Sequence, residues 1–273
     1  MAMRTVFFIS DSTGITAETL GRSLLSQFEG MKFRQTRVPF VDSVDNALDC
    51  VERMTEARLR DGERPIVVTS IVNAEVARTV RQADALFLDM FEHFVGPLEE
   101  ELGQAANHNV GRQKGMEESA DYQRRIEAIN FSLAHDDGMS HKELAQADVI
   151  LVGVSRSGKT PTSLYMAMQF GVKVANYPLI PEDFERAKLP TELVKYRAKL
   201  FGLTISPERL AQIREERRRG SHYASIENCR FEVDAAQKLM RMEGIRWLDS
   251  THKSIEEIAA IVLQAVQVDE NAY

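Results

Sequence analysis

The stretch "GVSRSGKTPTS" covers residues 153–163. It spells G-x-x-x-x-G-K-T, with Gly153, Gly158, Lys159 and Thr160 at the defining positions. Those residue types suit the holding of a phosphate chain. Glycines let the backbone curl until successive N–H groups face phosphate oxygens. Val154, Ser155, Arg156 and Ser157 supply the amides between them. Lys159 is placed to reach the terminal phosphates and Thr160 to ligate Mg2+. The pattern carries weight only between a strand and a helix. Here "ADVILVG" precedes it and "TPTSLYMAMQF" follows. Pro161 falls in the first helical turn, where its missing N–H costs little.

Phosphoryl transfer also needs an acidic group, and the chain offers several. Asp249 closes the apolar run in "IRWLDST", and Asp89 does so in "ALFLDMF". Each resembles a strand-end magnesium aspartate. The capping box "SIEE" (254–257) gives Asp249 a second reading, the shaping of a strand-to-helix turn. "HDDG" sets His135, Asp136, Asp137 and Gly138 just upstream of the P-loop strand. Such a loop supplies a general base for a hydroxyl proton or a magnesium ligand; equally, it is a helix stop with solvated carboxylates. In "SPERLAQIREERRRG" (206–220), Ser206 reads as an N-cap and Pro207 as the first helical residue. Arg214 and Arg217 are the candidates for a phosphate lid, since guanidinium forks fit phosphate oxygens. The competing reading is a solvated face, neutralised in part by Glu215 and Glu216. At the N-terminus, "SDSTGITAET" is either an anion seat at a helix start or a well-capped turn.

These groups need a scaffold, and 273 residues are natural for two domains. A chain of this size buries enough surface to need no disulfide or metal staple. The net charge of −7 argues against a general nucleic-acid binder. Cys50 and Cys229 stand far apart and read as reduced thiols. No run approaches the roughly 18 apolar residues of a membrane span, so a cytoplasmic protein is expected. Residues 1–104 alternate strand and helix signals: strands at 5–10, 35–41, 64–71 and 83–91, with Val44, Leu48, Val51 and Met54 on one helical face. Continuous apolar strands between helices imply an open parallel α/β sheet. Residues 105–147 read as linker, helix and "HDDG" loop. Residues 148–273 form a P-loop kinase-like α/β domain, with strands near 148, 172–176, 199–205 and 245–249. No internal repeat is visible.

Several segments taken together carry a resemblance. "FFISDSTGITAETLG", "INFSLAHDDG", "GVSRSGKTPTSLYMAMQFGVKVANYPL", "KLFGLTISPERLAQIREERR" and "WLDSTHKSIEEIA" closely resemble the phosphoenolpyruvate synthase regulatory proteins, over about residues 5–267. Sister proteins act on pyruvate, phosphate dikinase; Gly158 and Thr162 resemble the synthase branch. The resemblance implies a bifunctional serine/threonine kinase and phosphorylase. ADP is then the donor to a threonine beside the catalytic histidine of phosphoenolpyruvate synthase, which is inactivated. Inorganic phosphate reverses this and releases pyrophosphate. The family's nucleotide site maps onto Gly153–Thr160 and its "HDDG" onto His135–Gly138. A target-docking role for the N-terminal domain is expected, and a homodimer is among the assemblies allowed. Two rivals stay open: a small-molecule kinase of the nucleoside-monophosphate type, and a nucleotide-sensing switch without catalysis.

Overall fold

The computed structural model describes residues 3–106, 120–136, 143–186 and 188–266. The chain divides into two units, Met1–Lys114 and Gly115–Tyr273. Each is α/β, built on a four-stranded sheet whose pairings are all parallel. All eight strands fall where the apolar runs place them.

The first unit runs β1 (Arg4–Ile9), α1 (Ile15–Leu25), β2 (Phe33–Val38), α2 (Val44–Asp61), β3 (Ile66–Thr69), α3 (Ala74–Val80), β4 (Leu86–Asp89) and α4 (Met90–Leu102). The sheet order is β2-β1-β3-β4. Central β1 is apolar on both faces because both are covered. Phe7 and Ile9 enter the core with Ala47, Met54 and Val67, while Val6 and Phe8 meet Ala17 and Val68 on the other side. Two expectations shift here. The buried face of α2 is Ala47, Cys50, Met54 and Ala57, and Val44 and Leu48 are exposed. Of the expected stripe Met54 is buried and Val51 half-buried, and small Ala47 and Ala57 complete the face that closes on the sheet. The strand expected over 83–91 stops at Asp89, whose carboxylate accepts from the amides of Phe91 (2.9 Å) and Glu92 (3.1 Å) and so opens α4. Asp89 also pairs with Arg81 at 2.8 Å, so it is a helix cap of the first unit, remote in sequence from the P-loop.

The second unit runs α5 (Ala120–Ala134), β5 (Val149–Gly153), α6 (Lys159–Phe170), β6 (Val174–Pro178), α7 (Pro181–Arg186), α8 (Thr191–Val194), β7 (Leu200–Thr204), α9 (Pro207–Arg217), α10 (Ile226–Met242), β8 (Trp247–Asp249) and α11 (Ile255–Val266). Its order, β6-β5-β7-β8, repeats that of the first unit. One face of β5 packs Ile150 and Val152 with Val233, Leu239 and Met240; the other packs Val149 and Leu151 with Met166, Ile258 and Val262. Helix α5, expected in a connecting segment, packs on α6 and β6 and belongs to this unit. Ser206 caps α9, accepting from Arg209 N at 3.3 Å. Ser254 and Glu257 form the expected reciprocal box at α11, at 2.8 and 3.2 Å. Among the described residues no helix is long and apolar enough to cross a membrane.

Candidate active site

In each sheet the strand order reverses beside the first strand, between β1 and β3 and between β5 and β7. Such a reversal leaves a crevice at the carboxyl ends of the strands, where ligands of open α/β sheets bind. The P-loop follows β5 and fills that position. Gly153 has φ 149°, and a Cβ there would lie 2.1 Å from the backbone oxygen of Leu203; only glycine permits the turn. Gly158, at φ 93°, caps α6 without a side chain. Between them Arg156 sits at φ 76°, a left-handed conformation that costs a non-glycine residue about 1–2 kcal/mol. Arg156 is exposed.

Inside the loop Lys159 is buried, and its ammonium folds back to donate to the carbonyls of Gly153 (3.0 Å) and Val154 (2.8 Å). The Ser157 and Thr162 hydroxyls are buried and have no hydrogen-bond partner among the described residues. Leaving such groups unpaired costs about 1–3 kcal/mol each. The loop amides and the α6 N-terminus together fit a phosphate chain.

Thr160, on the first turn of α6, donates its hydroxyl proton to Asp136 Oδ1 at 2.8 Å. Asn176, from β6, donates its side-chain amide to the same oxygen at 2.5 Å and to Thr160 Oγ1 at 2.8 Å. Its backbone N–H holds the carbonyl of His135 at 2.9 Å. Asp136, set at the end of α5, is therefore fixed against the P-loop by two neighbouring elements. Among the described residues, nothing pairs with its other oxygen, Oδ2. His135 is buried, its Nδ1 on the carbonyl of Phe131 at 2.8 Å and its ring stacked on Phe131 at 4.0 Å. It anchors the end of α5. Asp137 and Gly138 lie outside the described residues. The neighbouring Tyr177 is pushed up to about 12 by burial, with Asp183 and Glu192 adding to the effect, so its phenol holds its proton at neutral pH.

Of the two arginines expected in a phosphate lid, Arg214 is not available for one. Arg214 is fully buried beneath the loop. It donates to the backbone oxygens of Ser155 (3.1 Å) and Tyr223 (3.0 Å) and to Glu232 (2.6 Å). Its guanidinium lies 4.0 Å from the centre of the Tyr223 ring, and the Tyr223 hydroxyl reaches Ser155 Oγ at 3.0 Å. Arg214 shares a helical face with buried Leu210, so the fold draws it inward as a brace. Arg217 is exposed at the end of α9. Burial pushes the Cys229 thiol up, against a smaller opposing effect of Arg214, so it remains a thiol.

Asp249 is exposed and accepts from the amide (2.8 Å) and the hydroxyl of Thr251. It shapes the turn after β8. Its neighbour Ser250, which sequence reasoning passed over, ties that turn to the P-loop: its backbone N–H donates to Thr204 O at 2.9 Å, and its hydroxyl, with one proton to give, lies 2.9 Å from Ser157 O. Asn176, Tyr223 and Glu232 were also passed over. Among the described residues, no three His, Cys, Asp or Glu side chains gather to hold a metal. Magnesium needs no such cage, because it is bound through one or two protein oxygens, substrate phosphates and water. Thr160 Oγ1 and Asp136 meet that requirement.

The chain matches the model of the Kinase/pyrophosphorylase family over residues 6–263. It is 68% identical over 272 residues to a protein of Aromatoleum aromaticum, spanning 99% of this chain and 98% of the relative. With a protein of Azoarcus sp. the identity is 65% over 274 residues, spanning 100% and 99%. With one of Ralstonia nicotianae it is 62% over 271 residues, spanning 99% and 97%. All three bear the name "Putative phosphoenolpyruvate synthase regulatory protein".

Proposed function

The chain belongs to the Kinase/pyrophosphorylase family, and from that premise we propose that it regulates phosphoenolpyruvate synthase by phosphorylating and dephosphorylating one of its threonines. The observation that carries this reading is the Thr160–Asp136 contact. A P-loop alone binds phosphate; a P-loop with a fixed carboxylate at its helix start also has a base for a hydroxyl acceptor.

In the kinase direction ADP lies along the amides of Gly153–Thr160. Lys159 leaves its two loop carbonyls and, with Arg156, neutralises phosphate charge. Asp136 Oδ2 takes the proton as the threonine oxygen bonds to the β-phosphorus, the anhydride bond breaks and AMP departs. Such transfer depends on positioning and charge neutralisation more than on covalent participation by the protein. Mg2+, held by Thr160, supplies further neutralisation when bound. In the phosphorylase direction phosphate occupies the same loop and attacks the phosphothreonine phosphorus. The bond to threonine breaks, Asp136, protonated beforehand from solvent, gives its proton to that oxygen, and pyrophosphate leaves. Phosphate is already ionised and needs no base. With one loop serving both directions, ADP competes with phosphate in phosphorolysis.

The test is transfer of label from the β-phosphate of ADP to phosphoenolpyruvate synthase. A labelled, inactive synthase that regains activity with phosphate supports the proposal. Faster transfer from ADP-free ATP, or label appearing on a free metabolite with no protein acceptor present, overturns it. A nucleotide-dependent change in affinity without transfer points instead to a switch.

A further inference from the structure

Asn176 lies in the middle of β6, paired with Leu151 of β5, and is 1% exposed. A strand residue so deeply buried is ordinarily apolar. Its side-chain amide meets two groups, Asp136 Oδ1 and Thr160 Oγ1. A hydroxyl carries one proton. Because the Thr160 oxygen accepts from the Asn176 amide, its own proton is directed to Asp136. Oδ1 then accepts from two donors, and Oδ2 is the oxygen left for chemistry. The backbone N–H of Asn176 fixes the preceding carbonyl, that of His135, so the whole His135–Asp136 junction is registered on β6.

We propose that Asn176 is a positioning residue for phosphoryl transfer: it sets the rotamer of the Asp136 carboxylate and the direction of the Thr160 hydroxyl. The inference rests on the transfer reading above and adds a residue to it. An amide is the side chain that fits. A carboxylate in its place would set two anions about 2.5 Å apart, and an aliphatic group would donate to neither oxygen. The cost of burying the amide fits such a role, since its own Oδ1 has no partner among the described residues.

Two variants of the full chain test this, with thermal unfolding, ADP affinity by calorimetry and turnover in both directions measured on each. In Asn176→Ala we expect kcat to fall about a hundredfold in both directions, the loss that follows small misplacement of a catalytic group. The dissociation constant of ADP should change less than about threefold, because the loop amides are intact. Losses in kcat and affinity that move together with the melting temperature would mean a purely structural role and overturn the proposal. The double variant Asp136→Asn/Asn176→Asp keeps an amide–carboxylate pair but reverses it. It should melt near the wild type and remain inactive; recovered turnover would show that the arrangement is interchangeable and overturn the proposal. A wild-type chain that transfers no phosphate defeats the transfer reading itself. Transfer by the wild type with unchanged kcat in Asn176→Ala defeats this inference alone.

Discussion

The first βα loops of the two units, Ser10–Gly14 and Val154–Gly158, have the same length and follow strands of the same rank in sheets of the same order. Each ends in a left-handed glycine that caps the next helix without a side chain: Gly14 at φ 74° and Gly158 at φ 93°. What differs is the side chains. Where the second unit has Ser155, the first has Asp11, whose carboxylate turns into the crevice and accepts from Val72 N at 2.7 Å and Asn73 N at 3.3 Å. Where the second has Lys159, the first has Ile15, exposed and apolar. The first crevice is thus capped by its own anion, whereas in the second the Lys159 ammonium is folded onto the carbonyls of Gly153 and Val154. Topology supplies the crevice; the loop residues decide whether a ligand enters it.

The comparison can be pressed by changing matched positions, beginning with the acid. Asp136→Asn should slow kinase and phosphorylase turnover alike, by about 10²–10⁴, the usual contribution of a positioned general acid or base. Asp11→Asn should leave both rates at wild type. Equal rates in Asp136→Asn would return "HDDG" to a helix stop. Next comes the brace. Arg214→Leu strands Glu232 in the interior, and breaking a buried ion pair costs about 3–5 kcal/mol, to be read from chemical denaturation of the second unit. A milder loss would mean that Glu232 finds water. Third, Lys159→Ala should reduce both activities about a hundredfold, as expected when one charged contact to the transferring group is lost; Ile15→Ala should change neither. Normal phosphorolysis in Lys159→Ala would separate the two activities into two sites. The smallest effect belongs to the first crevice. Asp11→Ala should cost that unit about 1–2 kcal/mol, the range for a lost amide cap, with ADP affinity unchanged by calorimetry.

How much of this could be read in advance depends on whether a feature is local in the chain. The strands are, because a parallel sheet covered on both faces demands continuous apolar runs such as "VFFI" and "VILV". The P-loop is also local, since glycine spacing, lysine and threonine are contiguous. Asp136 was half legible: "HDDG" stood out, but only folding shows which carboxylate meets Thr160. Arg214 was misjudged because a stretch with five arginines between residues 206 and 220 looks solvated; the clue was Leu210 one turn earlier. Asn176 gave no signal, since "VKVANYP" is an ordinary strand and its two partners are 40 and 16 residues away. The likeness of the two halves stayed hidden for the same reason. It lies in strand order and loop length, and the side chains that differ are those that decide ligand binding.

The central claim, that one of two equivalent crevices holds phosphate, is tested most directly by hydrogen exchange on the full chain with and without ADP. Bound phosphate should protect the amides of Val154–Thr160, while those of Ser10–Gly14 exchange at an unchanged rate. Protection of Ser10–Gly14 with none at Val154–Thr160 would contradict the account.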